Sequence, residues 1–169
     1  EYDMSNYLGE FSHKSAKKIK RELAAIEDLG VTYRYDRTAD FDVMVDMNMA
    51  RFGNYSYFFD PRFKEGFRSL ARFLQEKGWL RFTTVLINGE PAATDMGCIH
   101  DGVYTLLAGG TNSRYPGVAK LINFHHMEWA CQQRLEEVDF LCGNFNWKNL
   151  FHLTPRPQYL LTNIAAKTA

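Results

Sequence analysis

The sequence predicts a mixed α/β domain, with a central and mostly antiparallel sheet flanked by helices. Three observations carry this. Three apolar runs at 79–87, 91–100 and 103–108 are joined by Asn88-Gly89 and Asp101-Gly102, the dipeptides that favour two-residue hairpin turns. Three stretches with helical apolar spacing precede this meander. A strand, a long helix and a second strand follow it, the pattern of a parallel crossover joining 103–108 to 138–142.

Each element has a local reason. Over 12–29, Ile19, Leu23 and Ile26 form one apolar stripe, Ser12 stands at the capping position and Gly30 ends the run. Lys14, Lys17, Lys18, Lys20 and Arg21 lie mainly on its other faces, as a solvated surface or as a dock for an anionic ligand. Residues 31–35 alternate as a strand. Residues 40–52 read as a helix around Phe41, Met44, Val45, Met47 and Asn48, broken by Gly53 and Asn54. The aromatic loop 55–59 is core or the wall of an acceptor pocket. Asp60 caps the next helix, with Pro61 in its first turn, and Gly78 ends it. After the meander, 109–117 reads as a Gly-containing loop and 118–135 as a long helix. Residues 138–142 form a short buried strand, 144–152 a short helix, and 158–161 a last strand.

Composition bounds the function. The chain has 169 residues, about one domain. Hydrophobic residues make up 46%, enough for a core without disulfides or a structural metal. Twenty Lys and Arg balance twenty Asp and Glu, which argues against a general nucleic-acid or membrane binder. Cys98, Cys131 and Cys142 are odd in number and form no C-x-x-C pair, so free thiols in a reducing, cytoplasmic setting are expected. No apolar run reaches the roughly 18 residues of a membrane span. The chain opens on Glu1 rather than Met, so a segment of a longer protein is expected.

The chemistry concentrates at Arg114-Tyr115-Pro116-Gly117-Val118-Ala119, between a strand and a long helix. Amides at a helix N-terminus, aided by the helix dipole, suit a pyrophosphate. Gly117 and Ala119 keep the backbone accessible, and Arg114 adds a charge-assisted donor. This Arg-x-x-Gly-x-Ala, opening a helix after the fourth strand, resembles the acyl-CoA loop of the GNAT superfamily. The resemblance implies that Arg114, Tyr115, Gly117, Val118 and Ala119 hold an acyl-CoA co-substrate, with Leu107 and Ala108 at the oxyanion and pantetheine. No metal is implied. Asn144 matches an Asn that often follows the fifth strand. Phe151 stands seven positions on, where the family often has a Tyr that protonates the leaving thiolate. His152 is the neighbouring candidate acid.

Over about 12–161 the chain also resembles FemAB-like and cellulose-biosynthesis-type acetyltransferase domains. The residues behind this are the basic opening 12–21, Phe59-Asp60-Pro61-Arg62-Phe63, the run 76–82 and Gly89-Glu90-Pro91-Ala92-Ala93. This implies the C-terminal half of a two-half protein and an amine acceptor on a sugar, an amino acid or an envelope precursor. FemAB relatives proper use aminoacyl-tRNA as donor, which would bring tRNA to the basic opening. A non-catalytic substrate-binding half is the rival reading.

For the base, Asp95 is notable as a carboxylate in mid-strand, exposed on an open sheet face or catalytic. His100, His125, His126 and Glu128 are further candidates. Adjacent His125 and His126 point in different directions on a helix and lack further ligands at metal spacing. Asn146, Trp147 and Lys148, beyond the carboxyl end of a strand, contact the substrate together with Tyr57 or else cap and pack the short helix.

Overall fold

The computed structural model describes residues 3–141, 143, 146–159 and 161, with Asn146 by its backbone alone. Five strands form one sheet in the order β1 (Val31–Tyr35), β2 (Leu80–Ile87), β3 (Glu90–His100), β4 (Val103–Thr111) and β5 (Glu137–Asp139). The first four are antiparallel neighbours, and β5 runs parallel to β4. Both hairpin turns place two consecutive residues at positive φ: Asn88 and Gly89 at 52° and 81°, Asp101 and Gly102 at 50° and 73°. That backbone twist matches the strands it joins.

Helices cover both sheet faces. On one face α3 (Asp40–Phe52) and α4 (Pro61–Glu76) bury Phe41, Met44, Val45, Ala71 and Leu74 against Phe82, Met96 and Ala108. Asp60 caps α4 through the Arg62 N–H. Phe58, in the second of two 3-10 turns (Gly53–Tyr55 and Tyr57–Phe59), joins this core, while Tyr55 is exposed. On the other face α2 (His13–Glu27) and α5 (Val118–Gln132) pack Ile26, Val118, Leu121 and Ile122 on Val85, Ile87 and Ala93. Ser12 caps α2, and its five basic side chains are exposed.

A third cluster closes the end of that face. The helix α1 (Met4–Gly9), which the sequence reading did not foresee, brings Tyr7 onto Phe124, Met127, Phe140 and Phe151. Tyr7 donates its hydroxyl proton to the Phe151 carbonyl on the far side of α6 (Asn146–Leu150), at 2.6 Å.

Three expectations need correction. The expected final strand is absent among the described residues: Gln158, Tyr159 and Leu161 lie in no strand, and Tyr159 and Leu161 are exposed to solvent. β5 pairs over three residues rather than five, because Phe140 leaves the ladder to join the third cluster and Leu141 takes a positive φ. β4 continues through Gly109 and Gly110, which read as loop residues. They are glycines because nothing larger fits. A side-chain carbon on Gly109 would overlap Asp95 Oδ1, and one on Gly110 would strike the Met44 carbonyl.

Candidate active site

The sheet parts between β4 and β5. The two strands pair from Val103↔Glu137 to Thr105↔Asp139 and no further. Just there β4 is irregular: Gly97 faces Leu106 and Met96 faces Ala108, so Leu107 has no β3 partner. Such a bulge bends its strand and frees backbone groups from the ladder. Leu107 and Ala108 accordingly both pack toward the α3–α4 core, while Leu106 packs against the opposite cluster. Beyond Thr105, among the described residues, the outer edge of β4 has no strand beside it. An extended ligand could pair with this edge as an added strand does.

The same edge is held from the α3 side. Asn48 Nδ2 donates to the Gly109 carbonyl at 2.7 Å, and Ser56 Oγ donates to Asn48 Oδ1 at 2.7 Å. Burial raises the pKa of the Tyr57 hydroxyl above the usual phenol value, against the lowering effect of the Gly109 backbone and Asn48, so it stays protonated near neutral pH. The Arg51 guanidinium reaches Thr111 Oγ1 at 3.1 Å.

At the end of β4 the chain turns into α5 through Gly117, at φ 90° in the left-handed region. No side chain caps this helix. Val118 N–H bonds Tyr115 O, and Lys120 and Leu121 bond Gly117 O. Among the described residues the amides of Gly117 and Ala119 have no such partner, and both residues are exposed. Two free amides at the N-terminus of a 15-residue helix make an anion cradle.

Asp95 does not face solvent, as one reading had it. It is 4% exposed, and Oδ2 lies 3.0 Å from Nε2 of His126, which is completely buried on α5. Around them lie Tyr104, with its ring 4.9 Å from that of His126, and Arg81, which stacks 3.6 Å over Trp129. Arg81 Nε, Thr83 Oγ1, Tyr104 Oη and His126 Nδ1 are buried without a protein partner.

The remaining expected site residues fall in different places. Arg114 is exposed and pairs with Glu90 at 3.4 Å, beside the cradle. Tyr115 packs on the Ile26 cluster, and Val118 is buried under α5. Trp147 packs edge-on against Phe140 and Phe151 in the third cluster, and Lys148 Nζ donates to the Phe140 and Leu141 carbonyls at 2.8 and 2.5 Å. The His152 ring stacks on Phe11 at 4.1 Å, away from the Asp95–His126 pair. Asn144 and the Asn146 side chain lie outside the described residues, as does Cys142. Sequence reasoning missed Asn48 and the pairing of His126. The signal was present, since each is a polar residue on an otherwise apolar helix face.

A parted sheet with a bulge at its edge, ending in an open amide cradle, is an α/β architecture that a long, phosphate-bearing ligand would fit. The family model described as "Acetyltransferase (GNAT) domain" matches residues 13–149. The chain belongs to that family, the enzymes that move an acyl group from acyl-CoA to an amine. Solved structures share the fold. One is a predicted acetyltransferase from Clostridium acetobutylicum with acetyl-CoA, at 12% identity and TM-score 0.56, covering 79% of this chain and 96% of that one. Another is an N-acetyltransferase from Ralstonia eutropha, at 12% identity and TM-score 0.56, covering 78% and 97%. A third is an aminoglycoside acetyltransferase from an uncultured soil metagenomic sample in complex with sisomicin, at 10% identity and TM-score 0.52, covering 81% and 97%. No curated protein sequence matches the chain.

Proposed function

We propose that this domain acetylates a primary amine on a small polar molecule, an aminosugar, an amino acid or a cell-envelope or exopolysaccharide precursor. The observation that carries the reading is the parting of β4 from β5 beyond Thr105, with the bulge at Leu107 beside it, together with the free amides at Gly117 and Ala119. The diphosphate of acetyl-CoA would sit on the cradle, with Arg114 beside it. The pantetheine would lie along the β4 edge and bring the thioester to Leu107 and Ala108. A backbone N–H at the bulge would stabilise the tetrahedral oxyanion. Tyr57 would wall the acceptor side, and Asp95 would take the amine proton. The sisomicin complex of a fold neighbour supports an amine on a sugar-like acceptor.

The test is thiol release from acetyl-CoA with sisomicin, D-glucosamine or L-lysine, with the acetylated product weighed by mass spectrometry. One of these amines is expected to turn over. Asp95→Asn should lower kcat by about 10²-fold or more with the KM for acetyl-CoA unchanged. An unaltered kcat would remove Asp95 from the chemistry.

A further inference from the structure

His126 sits in mid-helix, wholly buried, where an imidazole is costly unless its nitrogens are used. Nε2 is used, at 3.0 Å from Asp95 Oδ2. Nδ1 has no protein partner, so no competing bond pulls the ring away. The other carboxylate oxygen, Oδ1, lies against Gly109, where a side-chain carbon would overlap it. Gly109 lies two residues past the bulge, beyond the last β4–β5 pair. One carboxylate therefore has one oxygen on His126 and the other against Gly109, beside the parting.

We infer that His126 is a positioning residue for acyl transfer: donating Nε2–H to Oδ2, it fixes the Asp95 carboxylate and turns Oδ1 toward the attacking amine. This rests on Asp95 as the proton acceptor proposed above. As the amine nitrogen bonds the thioester carbon, its proton passes to Oδ1. The C–S bond then breaks with its electron pair going to sulfur. The proton leaves Asp95 for the thiolate or solvent, and the products are an amide and a free thiol. The other titratable or charged groups around the pair are Tyr104 on β4, Arg81 on β2, Asp36 after β1, His125 on the same helix and Tyr57 in the second 3-10 turn. None of these stands between Asp95 Oδ2 and His126.

The experiment follows the His126 ring nitrogens by NMR in the wild type and in Asp95→Asn, and kcat and the acetyl-CoA KM in the wild type, His126→Phe and His126→Gln. Gln places an amide donor where Nε2 was; Phe keeps the bulk and removes the donor. The wild-type ring should carry its proton on Nε2, and Asp95→Asn should shift that Nε2 signal and leave Nδ1 nearly unmoved. His126→Phe should lower kcat about 100-fold, with the acetyl-CoA KM within twofold. His126→Gln should restore most of the rate. A ring protonated on Nδ1 in the wild type, or a kcat in His126→Phe within about threefold of the wild type, would overturn the inference. Should His126→Phe not fold, the wild-type ring signals decide. If none of the three amines is acetylated, the acceptor proposal fails on its own and the NMR result still judges the pair.

Discussion

Gly117 carries two constraints at once. Its φ of 90° disfavours any side chain, and an added Cβ would come within 2.7 Å of Ile26 Cδ1. Gly117→Ala should therefore lower stability by about 1–2 kcal/mol in urea titrations. Ile26→Val removes the offending methyl. In the Gly117→Ala background it should cost less than its usual ~1 kcal/mol, leaving the backbone strain behind. Strictly additive losses would show that Ile26 already clears the site. His125 gives a pH-dependent counterpart. It stacks on Tyr33 at 3.9 Å and approaches the Tyr35 hydroxyl at 3.1 Å. Burial, then His126 and Arg81, lowers its pKa to about 4. The folded ring thus resists a proton that the unfolded one accepts near 6.5, so the unfolded state binds more protons between the two values. Stability is whole above about pH 6.5 and should fall as pH drops toward 4. His125→Phe should flatten that slope in thermal melts at pH 7, 5.5 and 4.5; an unchanged slope would show that this ring does not set it.

At the scale of elements, β1 is fixed to α3 by one buried acid. Asp40, 2% exposed, receives two bonds from Arg34 at 2.7 and 2.9 Å and one from Thr84 Oγ1 at 2.6 Å. Arg34→Ala would strand this carboxylate in the interior and should cost about 3 kcal/mol by chemical denaturation. Arg34→Ala with Asp40→Leu should recover part of it, because no unpaired charge remains. The elements themselves were legible where a residue's own backbone preference agrees with the fold. Asn88-Gly89 and Asp101-Gly102 specify their turns almost alone, and Ser12 and Asp60 mark helix starts. The apolar stripe of α2 showed which face would be buried. Misreadings arose where tertiary contact decides. Gly109 and Gly110 look like breakers until Asp95 and Met44 are seen in the space a side chain would need. Asp95 looks like a surface residue until His126 arrives from 31 positions away. The spacing of Arg114, Gly117 and Ala119 was legible because helix-start amides are local. The bulge at Leu107 was not, since a bulge is a relation between two strands.

At the scale of the whole molecule, the cradle opens α5, the bulge lies on β4, and the Asp95–His126 pair ties β3 to α5, so all three sit on packed elements. Little in the described fold needs to be made for a donor to bind, so most of the binding free energy should appear as added stability. Acetyl-CoA at about 100 times its Kd should add roughly 2.7 kcal/mol. For a chain of this length that is a rise of roughly 5–10 °C in Tm. The pieces of the ligand should divide this gain unequally. Acetyl-pantetheine has the thioester and the β4-edge contacts but no diphosphate, so its shift at equal concentration should be much smaller. Gly117→Leu fills the cradle and should reduce the acetyl-CoA shift to the level of acetyl-pantetheine. The Leu variant's own lower Tm is subtracted by comparing each protein with and without ligand. Equal shifts from the two ligands in the wild type would place the diphosphate in solvent rather than on the Gly117 and Ala119 amides. The recognition would then lie along β4 alone, and the helix start would serve only to turn the chain.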